Sequence, residues 1–299
     1  MFSGSLVAIV TPMRADGALD LAAWDRLLDW HLQSGTSGIV VGGTTGESPT
    51  ITDAELLTLL QRARARLGGR VALIAGAGSS GTAQTIERVR RLAELALDGL
   101  LVVTPAYNKP TQEGLYQHFA AVARAATVPV IPYNVPARTC VDMLPATVAR
   151  LTNLPGIRAI KEAQGTVERI RELVALVPAE FDVLSGDDAT ARESVLTGAH
   201  GVISVTANVM PQQMAAVMTA ALHGDRVAAE RLDAPLANLH QSLFVEANPI
   251  PVKWAMAELG LIENGIRLPL TWLSEGLQPR VRAALRDAQA GGLAQAGAA

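Results

Sequence analysis

Short apolar runs rich in β-branched residues recur along the first two thirds of the chain, and each is followed by a stretch with helical periodicity. Near-continuous apolar strands of this kind form parallel sheets, because helices bury both faces of such a sheet. The runs span residues 6–10, 38–42, 71–75, 99–103, 128–131, 157–161, 181–185 and 201–205. Since eight βα units close a barrel, we predict an α/β protein with a (β/α)8 TIM barrel.

The pattern changes after the eighth run. From about residue 210 it is only helical, and Pro249, Pro251 and Pro269 interrupt it. We therefore expect residues 1–209 to form the catalytic barrel domain, and residues 210–299 to supply the last barrel helix and a C-terminal helical extension.

The overall composition excludes several classes of function. A net charge of −3 and a pI near 6.0 leave no basic footprint for nucleic acid or an anionic membrane. Cys140 is the only cysteine and the five histidines are scattered, so we expect no metal and no other cofactor. Because no apolar run could span a membrane and the N-terminus lacks a basic leader pattern, we expect a cytoplasmic protein.

A doubly wound sheet is the rival architecture, and residues 76–81 (GAGSSG) match the glycine pattern of dinucleotide-binding folds. Such a site also needs an acidic residue at the end of the next strand, to bind the ribose. That strand reads LLVVTP over residues 100–105 and ends without one. The sequence therefore disfavours nicotinamide binding.

Polar residues follow several of the predicted strands, at the barrel end where chemistry takes place in this fold. Residues 42–47 (GGTTGE) combine glycines with two hydroxyls, which suits a carboxylate cradle but equally suits a tight turn. Tyr107 and Tyr133 can transfer protons, or can be amphipathic residues at the edge of the hydrophobic core. Arg138 can bind a carboxylate through two hydrogen bonds. Gly186 would leave room near a neighbouring side chain.

Lys161 is one of only three lysines, and it closes a buried apolar run. Desolvation lowers the pKa of a lysine toward neutrality and leaves the free amine that Schiff-base chemistry requires. With the alternation of a strand, Lys161 shares its face with Ala159 and Ile157, and points into the barrel if they do. An ion pair with the adjacent Glu162 is the alternative explanation.

Six ordered segments resemble the dihydrodipicolinate synthase and N-acetylneuraminate lyase family of pyruvate-dependent class I aldolases. They are residues 2–13 (FSGSLVAIVTPM), 42–47 (GGTTGE), 104–110 (TPAYNKP), 133–139 (YNVPART), 160–162 (IKE) and 248–253 (NPIPVK). Thr44, Thr45 and Arg138 are similar to the synthase branch, because sialic acid lyases typically have Ser-Thr in the glycine loop and no such arginine.

The resemblance implies a mechanism for these residues. Lys161 would form a Schiff base with pyruvate, whose carboxylate would bind Thr44 and Thr45. The enamine would attack L-aspartate 4-semialdehyde, held by Arg138, and ring closure would give 4-hydroxy-tetrahydrodipicolinate in lysine and diaminopimelate biosynthesis. Tyr133 would be the acid and base.

Further roles follow from the same resemblance. Thr44 would link Tyr133 to Tyr107, which in the family crosses from a neighbouring subunit, so a homotetramer built as a dimer of dimers is expected. Gly186 and Ile203 match positions that line the family's pyruvate pocket. Lys253 belongs to a family motif and is interpreted as structural.

Several positions depart from feedback-sensitive members of the family. Those members have Tyr in place of Ala106, Glu in place of Gln84, and often His in place of Asp53 and Leu56. The lysine effector site would then be dismantled, and we expect weak or absent inhibition by lysine. Cys140 replaces a usual glycine and is interpreted as a tolerated small residue.

Two alternative functions remain open at this stage. Another pyruvate aldolase of the same family, acting on a sugar acid such as N-acetylneuraminate or a 2-keto-3-deoxy sugar acid, is the first. A barrel that binds a keto acid without turning it over is the second.

Overall fold

Eight parallel strands close into a barrel in chain order, and β8 completes it by pairing with β1. The computed structural model describes residues 2–296, with the side chains described through residue 291. The strands are β1 (Gly4–Ala8), β2 (Gly38–Val41), β3 (Ala72–Gly76), β4 (Gly99–Val103), β5 (Val130–Asn134), β6 (Ala159–Glu162), β7 (Asp182–Ser185) and β8 (Gly201–Ser204). The predicted (β/α)8 TIM barrel is confirmed, and each predicted run overlaps one strand.

Helices surround the barrel and continue beyond it. They are α1 (Leu21–Gln33), α2 (Asp53–Leu67), α3 (Thr82–Leu92), α4 (Gln112–Ala125), α5 (Pro136–Thr139), α6 (Pro145–Leu151), α7 (Val167–Leu176), α8 (Asp188–Leu196), α9 (Pro211–Leu222), α10 (Arg226–Asp233), α11 (Ala237–Ser242), α12 (Ile250–Glu258) and α13 (Gln278–Ala296). Helix α9 packs against β1 and α8, and α10 to α13 follow it. Residues 297–299 of the expected extension lie outside the described residues. No helix of residues 2–296 is both long and apolar enough to cross a membrane.

Two apolar layers hold the strands. An inner cluster fills the barrel and includes Ala159 and Tyr133, whereas a larger outer cluster lies between the strands and the helices. Ala159 faces inward as expected, but the expectation for Ile157 is wrong, because Ile157 packs in the outer cluster. Strand β6 begins only at Ala159, so the strict alternation does not extend back to residue 157.

The glycines of the segment 76–81 serve close backbone contacts. A Cβ on Gly76 would lie 2.1 Å from the carbonyl oxygen of Gly42, and one on Gly78 would lie 2.7 Å from the amide nitrogen of Val103. Only glycine lets the neighbouring backbone segments approach this closely. The motif therefore marks tight packing at the end of β3 in a closed barrel.

Candidate active site

Lys161 lies at the carboxyl end of β6, where its side chain is 5% exposed. It pairs in register with Tyr133 on β5, and its Nζ lies 4.4 Å from the centroid of the Tyr133 ring. The short parallel strands thus place an amine and a phenol side by side in the barrel mouth.

The pKa of Lys161 is lowered to about 8, chiefly by burial; the charge of Asp188 acts to raise it, and the positive charge of Arg138 acts to lower it. Within the described residues no carboxylate lies at ion-pair distance from Lys161. At a pKa of about 8, roughly a tenth of the amine is unprotonated at pH 7, which is far more than for an ordinary lysine.

Glu162 does not pair with Lys161, because strand alternation places it on the other face of β6. Both of its carboxylate oxygens accept from Asn134 Nδ2 at 3.0 Å, and Oε1 also accepts from the amide of Gln164 at 2.7 Å. Burial raises the pKa of Glu162 to about 7, against the effect of these hydrogen bonds. The adjacent carboxylate therefore does not explain the position of the lysine.

Tyr133 is buried in the inner cluster, and burial raises the pKa of its phenol to about 12. The positive charge of Arg138 and a hydrogen bond with the Thr44 side chain act in the opposite direction. A small cavity of about 40 Å³ opens beside Thr44 and Tyr133. The phenol stays protonated near neutral pH, so it is available as a proton donor.

The loop after β2 is a compact turn, and its Thr44 lines the small cavity beside Tyr133. The amides of Gly46 and Glu47 donate to the carbonyls of Gly43 and Thr44, each at 3.1 Å. Thr44 is half-buried and Thr45 is only 2% exposed. The tight-turn geometry is therefore present, and the carboxylate cradle stays a prediction.

Residues of the C-terminal segment contact this loop through Glu47. Glu47 Oε1 forms an ion pair with Lys253 of α12, and neither side chain is exposed. Glu47 Oε2 accepts from the amide of Arg267 at 3.1 Å. The interpretation of Lys253 as a residue outside the chemistry agrees with this pairing. Removal of either partner would leave a buried charge without its counterion.

The remaining predicted residues differ in how they relate to Lys161. A Cβ on Gly186 would lie 3.0 Å from Lys161 Cε, and Ile203 is a fully buried member of the inner cluster. Arg138 is exposed, and its Nη2 donates to the carbonyl oxygen of Asn248 at 3.0 Å. Its charge also acts on the pKa values of Lys161 and Tyr133, as described above.

Tyr107 is not brought into the site within one chain. Its side chain is 96% exposed, and its φ of 69° lies in the left-handed region that non-glycine residues seldom adopt. Lys109 in the same loop has a φ of 46°. A strained loop that presents an aromatic side chain to solvent is typical of a functional element.

Two residues near the site were assigned no role from the sequence. Asp188 is buried, its Oδ2 accepts from the amides of Val205 and Thr206 at 2.8 and 2.9 Å, and its charge acts on Lys161. Asn248 contacts both Thr45 and Arg138. Asp188 could be noticed as the second carboxylate after β7, and Asn248 opens the segment 248–253 (NPIPVK) that carries the family resemblance, but nothing in that segment points to contacts with Thr45 and Arg138.

The chain matches one protein family over nearly its whole length. The sequence model of the Dihydrodipicolinate synthetase family matches residues 1–288. This chain belongs to the dihydrodipicolinate synthetase family. Its near-complete match agrees with the resemblance seen in the six sequence segments.

Relatives from the dihydrodipicolinate synthetase family resemble the chain over almost its full length. The 4-hydroxy-tetrahydrodipicolinate synthase of Methylococcus capsulatus is 51% identical, covering 96% of this chain and 99% of the relative. That of Thiobacillus denitrificans is 53% identical, covering 96% and 97% respectively. The crystal structure of the chloride-inhibited dihydrodipicolinate synthase from Acinetobacter baumannii, complexed with pyruvate, superposes with a TM-score of 0.95 at 47% identity. It covers 97% of this chain and 99% of that one.

Proposed function

We propose that the chain condenses pyruvate with L-aspartate 4-semialdehyde to give 4-hydroxy-tetrahydrodipicolinate, a step of lysine and diaminopimelate biosynthesis. The observation that carries this proposal is the buried Lys161, whose pKa is lowered to about 8 beside the phenol of Tyr133. A free amine next to a proton donor is what a Schiff-base enzyme requires. The similarity to 4-hydroxy-tetrahydrodipicolinate synthases supports the choice of substrates.

The first half of the reaction uses pyruvate alone. The carboxylate of pyruvate accepts from Thr44 and Thr45, and the amine of Lys161 attacks the ketone carbon. Tyr133 donates a proton to the departing hydroxyl, so that water leaves and a C=N bond forms. Loss of a methyl proton to the Tyr133 phenolate then yields the enamine. Gly186 and Ile203 line the space in which this small substrate sits.

The second half joins the two substrates. The enamine carbon attacks the aldehyde carbon of the semialdehyde, whose carboxylate is held by Arg138, and the aldehyde oxygen becomes a hydroxyl. The amino group of the semialdehyde then displaces the amine of Lys161 and closes the ring. One water is released overall, and the enzyme returns to its starting state without any oxidant or reductant.

Tyr107 completes a proton relay through Thr44 from the neighbouring subunit of a homotetramer, arranged as a dimer of dimers. Its 96% exposure in one chain supports a role across an interface. We also assign catalysis to residues 1–209 and place the protein in the cytoplasm, where its free Cys140 would stay reduced.

Borohydride reduction in the presence of pyruvate, followed by peptide mass spectrometry, tests the chemistry. A reduced pyruvyl adduct is expected on Lys161 and not on Lys253, which is buried against Glu47. The Lys161→Arg variant should give no adduct, because its guanidinium does not deprotonate. A folded wild-type protein without an adduct would rule out the proposed reaction.

The acceptor is tested separately by offering aldehydes to the pyruvate-loaded enzyme. Aspartate semialdehyde should be preferred over neutral sugar aldehydes, and Arg138→Ala should raise its KM by about tenfold or more. A preference for a sugar aldehyde would instead favour the sugar-acid aldolase. Full activity of Arg138→Ala with the semialdehyde would show that the carboxylate contact is wrongly assigned.

A further inference from the structure

Asn248 lies in the loop before α12 and contacts two residues of the proposed site that are distant in sequence. Its Nδ2 donates to Thr45 Oγ1 at 3.0 Å across 203 residues of chain. Its main-chain carbonyl accepts from Arg138 Nη2 at 3.0 Å across 110 residues. One residue therefore touches both groups that are proposed to bind substrate carboxylates.

The contact with Thr45 determines what the threonine hydroxyl can do. A hydroxyl carries one donor hydrogen and two acceptor lone pairs. Because Asn248 Nδ2 occupies a lone pair, the hydrogen remains free, and within the described residues Thr45 donates it to no other group. A carboxylate can only accept. Thr45 is 2% exposed, so water does not compete freely for this hydrogen.

The contact with Arg138 works through the backbone. The exposed guanidinium has five N–H donors, and the carbonyl of Asn248 engages one of its terminal nitrogens. This hydrogen bond limits the freedom of a long side chain and leaves its other donors available. A substitution of the Asn248 side chain leaves the carbonyl group itself in place.

Packing alone does not explain the asparagine. Asn248 is 6% exposed, and its Oδ1 has no hydrogen-bond partner among the described side chains and backbone groups. A buried acceptor without a partner costs free energy, which an apolar residue of similar size would avoid. Among the described residues, the one hydrogen bond of the Asn248 side chain is the donation from Nδ2 to Thr45.

We infer that Asn248 is a positioning residue: its side chain directs the Thr45 hydroxyl toward the pyruvate carboxylate while its carbonyl orients Arg138 for the second substrate. This inference rests on the proposed function. The two carboxylate sites are then set by one residue of the C-terminal segment, which lies outside the eight strands.

The test measures borohydride trapping of pyruvate on Lys161 over a range of pyruvate concentrations. Asn248→Asp preserves shape but presents an acceptor, so it draws the Thr45 hydrogen away from pyruvate. The half-saturating pyruvate concentration should rise by about tenfold or more in Asn248→Asp, and by about fivefold in Asn248→Ala. Asn153→Asp, at an exposed asparagine, is the matched control and should behave as wild type.

Coupling to Thr45 separates positioning from a structural role. In a Thr45→Val background, Asn248→Asp should raise the half-saturating concentration little further, because the hydroxyl it redirects is gone. Fold-changes that simply multiply would overturn the inference, as would an unchanged trapping curve for Asn248→Asp. If Asn248→Asp fails to fold, Asn248→Ala takes its place, and its effect on the half-saturating concentration is compared with and without Thr45→Val. Failure of the wild type itself to trap pyruvate would contradict the proposed function instead.

Discussion

Gly186 lies so close to Lys161 that a Cβ at position 186 would be 3.0 Å from the lysine Cε. The same Cβ would lie 2.7 Å from the Cβ of Ala163. Real Cβ atoms do not approach this closely, so any side chain at position 186 must displace its neighbours. The Lys161 side chain therefore has room only because residue 186, in the loop after β7, is a glycine.

Gly186→Ala should slow adduct formation on Lys161 by about tenfold or more, because the lysine can no longer take its native position. Borohydride trapping at fixed pyruvate measures the rate. Gly276→Ala is the control, since a Cβ there would meet nothing within 4 Å. Equal rates for Gly186→Ala and wild type would contradict the crowding argument.

The pKa of Lys161 predicts a pH dependence. Since only the free amine attacks pyruvate, the trapping rate at low pyruvate should rise about tenfold per pH unit below pH 8 and level off above it. The phenol of Tyr133, with its pKa of about 12, remains protonated over this range. A rate that still rises steeply above pH 9 would show that burial does not lower the pKa of the lysine.

The Glu47 and Lys253 pair predicts an asymmetric effect on stability. Lys253→Met should lower the free energy of unfolding by about 3–5 kcal/mol, because Glu47 is left as a buried charge without its partner. Adding Glu47→Gln should restore part of this loss. Denaturant titration measures both, with Arg226→Gln in an exposed ion pair as the control that should change little.

If the double variant were as unstable as Lys253→Met alone, the uncompensated charge would not be the cause of the loss. The Lys253→Met variant should also bind pyruvate more weakly, because the loop that carries Thr44 and Thr45 loses its anchor at Glu47.

Exposure of Tyr107 predicts complementation between subunits. Lys161→Ala and Tyr107→Phe should each be impaired alone. After subunit exchange their mixture should regain about a quarter of wild-type activity, because about half of the dimers are hybrids and one of the two sites in each hybrid is intact. Mixing Lys161→Ala with Tyr133→Phe is the control. Each site takes both of these residues from one chain, so no site in such a hybrid is intact and no activity should return. No recovery in the first mixture would contradict a role in trans.

Sensitivity to lysine should be weak or absent. Asp53 stands where sensitive members often have His, and its carboxylate accepts from Arg88 Nε at 3.1 Å and from Arg91 Nη1 at 2.5 Å. The Asp53 carboxylate is therefore already engaged in ion pairs within the protein, and is not free to bind a lysine effector. Inhibition is measured from steady-state rates with and without added L-lysine, and free L-arginine is the control for an effect of charge alone. Half-maximal inhibition at sub-millimolar lysine would contradict it.

Local patterns are sufficient to predict the fold and to propose many residues of the candidate site. Apolar runs followed by helical periodicity predict buried parallel strands wherever they occur, because burial on both faces is a property of each segment. Lys161 was identifiable for the same reason: a charge at the end of a buried run contradicts the pattern around it. Strand ends were less accurate, as Ile157 shows, since hydrogen-bond pairing and not composition terminates a strand.

The sequence by itself therefore determined the barrel, the lysine and the polar loops at one end of the strands. Only the tertiary structure decided that Asn248 contacts Thr45 and that Lys253 pairs with Glu47, across 203 and 206 residues respectively. Such contacts depend on how the C-terminal helices pack against the barrel mouth, and no periodicity within either segment encodes them. A buried hydrogen bond or ion pair is specified by the position of both partners at once, which is available only in the folded chain.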